Sequence, residues 1–501
     1  MTSQQQTSAE SAERSSSEHV PAAVGGAAAS TPAAPQHRVA ILAIILFSYF
    51  MILLDNSVIF TALPSIQADM NLSSGQLSWV QDAYTLVFGG LLLLGARAGD
   101  LLGRRTLFVT GLIVFSVASL LVGLAPTGPW IIAARALQGI GAAVVAPASL
   151  SLITASFPAG RERARAIALY GATAGIGASL GMVVGGAFTE LVSWRAGFFI
   201  NVPIGIAMIL LAPRYLPVSV RQRGRFDATG ALASTLGVGS IVYAVINSAE
   251  AGWDSPVTVT ALVLGVLLLA GLILNESRAT QPIMPLRLFR SRVRVGGYVG
   301  RMLYMGAMIG FFYFTTQFLQ LVLGLSPLQA GLGFLPMTIV NFVVAMQITR
   351  VVRRFGEAVP LVLGVALTLG GMIWLSQLTP QSDYLLGVAL PMIVLGVGQG
   401  LTFAPLTSAG IFGVRDEDAG AASGLVNTFH QVGMAVGLGV LVAVSAPAAE
   451  GITSGSIQVA TEVSAALTGS SVLLGLCLVA CIALILPAAM RTRREGDKPA
   501  S

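Results

Sequence analysis

VAILAIILFSYFMILLDNSVIFTAL, residues 39–63, is an apolar run carrying a single charge, Asp55. A helix that crosses a hydrocarbon core about 30 Å thick needs roughly 20 mostly apolar residues, so this run spans a bilayer unaided. Thirteen more runs of the same kind follow, at 77–96, 106–124, 130–153, 166–188, 197–213, 228–247, 257–274, 295–322, 328–349, 358–376, 384–410, 419–446 and 464–488. Of the 28 Lys and Arg residues, 25 lie in the tails or in every second loop; Arg135, Arg195 and Arg301 are the exceptions. Cationic residues resist translocation, which assigns those loops and both termini to the cytoplasm. The expectation is an all-α integral membrane protein with 14 transmembrane helices, sitting in a bacterial cytoplasmic membrane.

Composition narrows the function. Hydrophobic residues make up 55% of the chain and charged ones 10%, against about 25% charged in a soluble domain; most of the surface therefore faces lipid. The net charge of +6 is spread over cytoplasmic collars instead of one patch, so nucleic acid is not an expected partner. Lys498 is the only lysine, which rules out a GxxxxGK[ST] phosphate loop. The histidines are His19, His37 and His430, with no HExxH or CxxC, so no zinc site and no prosthetic cofactor are expected. GASLG at 177–181 fits the GxSxG nucleophile pattern, yet Ser179 lies mid-span and not on a strand-to-helix elbow. An enzyme is not expected. Cys477 and Cys481 share one face of the last span and read as packing residues. Residues 1–38, rich in Ser, Ala, Gln and Pro, read as a disordered cytoplasmic tail, and 489–501 as a second tail.

The chain contains two related halves, 39–213 and 295–488, separated by two linking spans and their connectors at 214–294. Span 2 runs into Gly99-Asp100-Leu101-Leu102-Gly103-Arg104-Arg105, and span 10 into Arg350-Val351-Val352-Arg353-Arg354-Phe355-Gly356. Spans 4 and 12 carry LQGIGAAVVAP (137–147) and LGVGQGLTFAP (395–405). Repeats related by an axis along the membrane normal are a transporter signature.

Ionisable residues within a bilayer are costly and need a reason. Asp55 lies about 12 Å from the outer end of span 1, and Asp82 and Arg135 about 8 Å from the same face, at 1.5 Å per residue. A carboxyl that alternately gains and loses an arginine neighbour can bind and release protons, making these three the expected proton-coupling residues; a static ion pair locking the helices is the rival reading. Arg301 is expected to snorkel back to the headgroups. Gly177, Gly181, Gly185 and Gly186 in span 5 allow close helix approach, either as generic packing or as a sliding gate. Polar and aromatic residues of the second half offer a substrate cavity: Phe311, Tyr313, Gln317, Gln320, Asn341, Gln399, Asn427 and His430.

These motifs resemble the major facilitator superfamily, in particular its fourteen-span drug:proton antiporters, over residues 39–488. LDNSVIFTALP (54–64) is similar to that family's first-helix motif, with Asp55 at its acidic position. Ala96–Arg105 resembles the loop after span 2, Arg135-Ala136-Leu137-Gln138-Gly139 the span 4 motif, and Gly181–Gly186 the span 5 antiporter motif. Trp194-Arg195 followed by FINVPIG (199–205) resembles the entry to span 6. The resemblance implies the major facilitator fold, two six-helix bundles plus two linking helices. It also implies proton coupling through Arg135 and a conformational latch built from Asp100, Gly103, Arg104 and Arg105. The expected function is proton-coupled export of amphipathic drugs or antibiotics by a monomer whose partners are its small-molecule substrate, protons and the bilayer. Met182 stands where the family usually has proline, which keeps open a symporter or uniporter importing a metabolite.

Overall fold

The computed structural model describes residues 35–158, 160–218, 228–278, 284–415, 418–452 and 454–488; residues 1–34 of the expected first tail, the expected second tail, and 219–227 and 279–283 of the linker connectors lie outside the described residues. The first half contains α1 (Pro35–Met70), α2 (Ser74–Leu102), α3 (Arg104–Gly123), α4 (Gly128–Ser156), α5 (Arg161–Leu191) and α6 (Ala196–Tyr215). The linking pair is α7 (Ala228–Ala251) and α8 (Pro256–Arg278). The second half contains α9 (Arg292–Val322), α10 (Pro327–Phe355), α11 (Ala358–Leu375), α12 (Leu385–Gly410), α13 (Ala419–Ser445) and α14 (Gly455–Ala488). Among the described residues 13 helices are long and apolar enough to cross a membrane. The remaining expected span, 166–188, falls on the 31-residue α5.

Local chemistry sets the boundaries. Ser73 and Gln76 form a reciprocal cap at the start of α2, with Ser73 Oγ accepting from Gln76 N at 3.2 Å and Gln76 Oε1 from Ser73 N at 3.1 Å. Ser326 and Gln329 do the same at the start of α10, each satisfying backbone donors that a helix leaves open. Gly103 (φ +97°) turns the chain between α2 and α3, and Gly356 (φ +77°) ends α10. Side chains with a Cβ rarely take that backbone region, so both basic turns are closed by glycine at matching places in the two halves.

The halves repeat in their packing. In the first, α1 lies along α5, α2 along α4, and α3 against α4 and α6. In the second, α9 lies along α13, α10 along α12, and α11 against α12 and α14. Each pairing recurs eight helices later, as expected of two similar six-helix bundles displaced by a two-helix insertion.

The seam between the halves runs along α1 with α9 and the start of α10, α2 with α13, and α5 with the start of α10. Along α2 and α13 the backbones come close, and a Cβ on Gly89 would lie 2.4 Å from Gln431 Cβ. Helix α7 packs against both α2 and α13. It does so through Leu86, Val242, Ile246 and Ala435, with Gly90 against Thr235 and Gly439 against Ile246. Helix α8 backs onto α7 and leaves Val259, Val263, Leu267 and Leu274 exposed to lipid. The linking pair therefore packs over the seam, α7 directly and α8 behind it.

Below α13, Arg287 holds Asp418 by two hydrogen bonds, Nε to Oδ2 at 2.8 Å and Nη2 to Oδ1 at 2.6 Å. These bonds hold the Asp418 carboxyl below its ordinary range. A lowered carboxylate stabilises the fold at neutral pH and loses that contribution as pH falls through its folded value. With Arg287 half-exposed, screening limits the pair to about 1 kcal/mol. Asp418→Asn should therefore lower the melting temperature in detergent slightly at pH 7, and the difference from the parent should shrink as the pH falls below the ordinary carboxylate range.

Candidate functional site

Five helices of the first half converge on Asp55. Arg135, from α4, donates from Nη1 to Asp55 Oδ2 at 2.7 Å. Gln138, one turn further along α4, donates from Nε2 to Asp55 Oδ1 at 2.7 Å, and Asn201 of α6 donates to the same oxygen at 2.8 Å. The carboxylate thus accepts three side-chain hydrogen bonds. Arg135 is held in turn: Nη1 also donates to Gln138 Oε1 at 2.8 Å, Nε donates to Val80 O on α2 at 3.0 Å, and the guanidinium carbon sits 4.3 Å from the Tyr84 ring centre. Ser119 on α3 accepts from Asn201 at 3.0 Å and donates to Phe198 O at 2.9 Å. Asp55, Arg135, Gln138, Asn201 and Ser119 are all fully shielded, at 0% exposure.

A carboxylate and a guanidinium so far from water are tolerated only as a hydrogen-bonded pair, and removing one partner leaves a buried charge uncompensated. A proton on the carboxyl would remove the charge that Arg135 pairs with. Gln138 and Asn201 escaped the sequence reading as site members, although both lie in motifs it singled out. Gln138 was findable because three residues on from Arg135 shares its helix face. Asn201 had no such signal, since its place beside Asp55 depends on how α6 packs.

Asp82 does not join this cluster. It is buried on α2 with both carboxyl oxygens lacking a hydrogen-bond partner among the described residues, and Tyr313 of α9, in the other half, lies within its electrostatic range. Equal depth on three helices did not mean a common site, because Asp82 points from a different face of α2 than the one that receives Arg135.

The turn after α2 makes bonds within its own half. Arg105 donates to Pro213 O at 3.2 Å and Leu216 O at 3.3 Å, binding the open carbonyls at the C-terminal end of α6, and Arg104 donates to Ser151 O on α4 at 3.3 Å. These bonds brace the first half, as cations at helix C-termini do. The side chains of Asp100 and Ser179 lie outside the described residues.

The span 5 glycines divide by direction. A Cβ on Gly177, Gly181 or Gly185 would come within 2.6–2.8 Å of Leu53, Ser57 or Val58, all on α1, so these three seat α5 inside its own half. Gly186 faces the other half, where a Cβ would lie 2.3 Å from Pro327 O. Gly331 reciprocates, with a Cβ there 2.5 Å from Met182 O. At the same place Glu190 accepts from Leu328 N at 3.1 Å and from the Ser326 hydroxyl. Gln320, in the π-helical turn Phe318–Val322, donates across to Thr61 O at 2.9 Å, and Phe60 stacks on Phe312 with ring centres 5.6 Å apart. At this end of the molecule the two halves are closed against each other.

The expected cavity residues do not form one lining. Phe311 is buried against Phe312 and Phe334, and Gln317 bonds back to Tyr313 O at 3.4 Å. Asn341 and Gln399 are half-buried on α10 and α12, whereas Asn427 is exposed and bonds to Ser423 O at 3.2 Å. His430 is half-buried with Nδ1 shielded and unpartnered among the described residues. Arg301 does not snorkel. It is 3% exposed, with its guanidinium carbon 3.7 Å from the Phe403 ring centre.

Residues 45–438 match the family model for the Major Facilitator Superfamily. The chain belongs to that superfamily. It is 39% identical to the cephamycin export protein CmcT of Amycolatopsis lactamdurans over 455 residues, 90% of this chain and 92% of that one. It is also 39% identical to the puromycin resistance protein pur8 of Streptomyces alboniger over 409 residues, 81% of each chain. Among solved structures, a bacterial homologue of the human lysosomal transporter Spinster superposes with a TM-score of 0.66 at 15% identity, over 94% of this chain and 100% of that one. At that identity the superposition speaks for the fold alone. As a member of the superfamily the chain is a multi-pass membrane transporter of small molecules and not an enzyme.

Proposed function

We propose that this transporter is a proton-coupled antiporter exporting amphipathic small molecules, antibiotics among them, across the bacterial cytoplasmic membrane by alternating access. The observation that carries the reading is the sealed Asp55–Arg135 pair, together with the export and resistance proteins it resembles over most of its length. Residues 39–213 and 295–488 act as the two moving bundles, 214–294 as the linking segment, and both termini are cytoplasmic. The working unit is a monomer driven by the proton gradient, with no cofactor.

Asp55 takes a proton from the outer side when the outer contacts part, and Arg135 loses its counter-charge. Gln138 and Val80 O keep the guanidinium in place, so Asp55 recovers its partner once the proton leaves inward. Asp82, facing the seam, is a second proton-binding carboxyl exposed when the halves separate. Gly186 supplies the outer closing contact. The turn containing Asp100, Gly103, Arg104 and Arg105 stiffens the first bundle on the inner side so that it moves as one body.

Everted membrane vesicles test the reading: a drug substrate should accumulate inside, and a protonophore should collapse the accumulation. Arg135→Lys keeps the charge but loses the planar fork that reaches Asp55, Gln138 and Val80 O together. Accumulation should fall at least about tenfold in that variant, the worth of one charge-assisted hydrogen bond. Full activity would show that no fork geometry is required.

A further inference from the structure

Arg301 is a buried cation that pairs with no acidic side chain among the described residues. No acidic side chain lies within ion-pair distance of it among the described residues. Its Nη1 reaches two neutral acceptors at the limit of hydrogen-bond range, Phe403 O at 3.5 Å and Thr407 Oγ1 at 3.4 Å, and its Nε is shielded and unpartnered. A guanidinium presents five donors and stays charged, and leaving it dry and half-satisfied is costly unless something completes it.

Its surroundings indicate what that is. Arg301 stands on α9 at the seam, within electrostatic range of Tyr49 from α1 in the opposite half and of His430 from α13. Tyr49 stacks on Tyr170 with ring centres 4.0 Å apart, giving a flat aromatic surface on the far side. Phe403 covers the guanidinium yet is itself 42% exposed, so the charge lies one ring's thickness below accessible surface. That open strip of α12 also carries Gln399 and Thr407, both half-buried and polar, as a cavity wall would and a lipid-facing strip would not.

We infer that Arg301 is the anion-recognising residue of the transport path, binding the carboxylate or other single negative group of an amphipathic substrate whose ring system rests on Phe403 and the Tyr49–Tyr170 pair. This rests on the export reading and names its substrate class. Arginine meets a carboxylate with two parallel bonds, and Phe403 is the ring that covers the guanidinium on its accessible side.

The test uses purified protein in proteoliposomes and two dyes that share a xanthene ring: fluorescein, a carboxylate, and rhodamine 6G, an esterified cation. Fluorescence anisotropy should show saturable fluorescein binding that weakens about tenfold or more in Arg301→Gln, with rhodamine 6G bound as well as before or better. Arg301→Lys should retain most of the fluorescein affinity. The inference fails if fluorescein does not bind the parent protein saturably, or binds Arg301→Gln equally well. Should Arg301→Gln lose both dyes, Arg301→Lys decides: retained fluorescein binding supports the site, and its loss with rhodamine 6G still bound overturns it. Gradient-driven transport of rhodamine 6G without fluorescein recognition would remove this inference and leave the export reading; selective fluorescein binding without any gradient-driven transport would do the reverse.

Discussion

Asp55→Asn should abolish uphill transport while the protein still inserts, folds and equilibrates substrate downhill. Asparagine has the shape of aspartate and keeps one acceptor for Gln138 and Asn201, which donate to Asp55 Oδ1 at 2.7 and 2.8 Å. It cannot hold or release a proton. It also leaves the Arg135 guanidinium, which has 0% exposure, without a negative partner, and breaking a buried pair on one side costs about 3–5 kcal/mol. A loss of thermal stability should thus accompany the loss of coupling, and the double variant Asp55→Asn, Arg135→Gln should recover stability without recovering accumulation. The measurement is substrate concentration inside proteoliposomes with and without an imposed pH gradient. Gradient-dependent accumulation by Asp55→Asn would reduce Asp55 to a structural ion-pair member.

Gly186→Val should hold the outer side open. A Cβ there would lie 2.3 Å from Pro327 O and 2.8 Å from Leu328 Cα, and backbone cannot step aside as a flexible side chain can. Either α10 tilts away or the contact is lost, together with the Glu190 bond to Leu328 N. Gly331→Val, pressing on Met182 O at 2.5 Å, should have the same effect from the opposite helix, because the two glycines form one crossing. Gly177→Val, which faces α1 instead, should destabilise the first half without favouring either access state. Spin-label distances between the outer ends of α5 and α10 should lengthen in the first two variants, with transport falling by at least about an order of magnitude, the effect of some 1.4 kcal/mol on the closed state. Unchanged distances with normal transport would mean the crossing does not close the path.

The topology was plain in the sequence because a bilayer imposes length and charge rules that soluble proteins lack. Runs such as 39–63, and arginines in alternate loops, carry that information locally. Asp55 and Arg135 also stood out, since a lone charge in an apolar run is rare enough to notice. What escaped depended on helix rotation. Asp82 shares the depth of Arg135, yet it makes no bond to the Asp55 cluster among the described residues. Arg301 was expected to reach for the headgroups but is enclosed by α12. Asn201 completes the Asp55 site only because α6 packs against α1 and α3. Spacing along one chain tells which residues share a face; which neighbour that face meets is decided by packing.

The recurrence of the helix pairings eight helices further along the chain bears on how the α7–α8 hairpin can be gained or lost. Excising both helices would leave each bundle with its original sidedness, whereas excising one would invert the second bundle in the membrane. In bare threading, then, the hairpin is dispensable. Sterically it is not, since Gly90 and Gly439 form shallow notches that Thr235 and Ile246 fill, and a shortened chain would present those notches to loosely packed acyl tails. A twelve-helix descendant would have to acquire bulkier side chains at those two glycines before it could do without the pair.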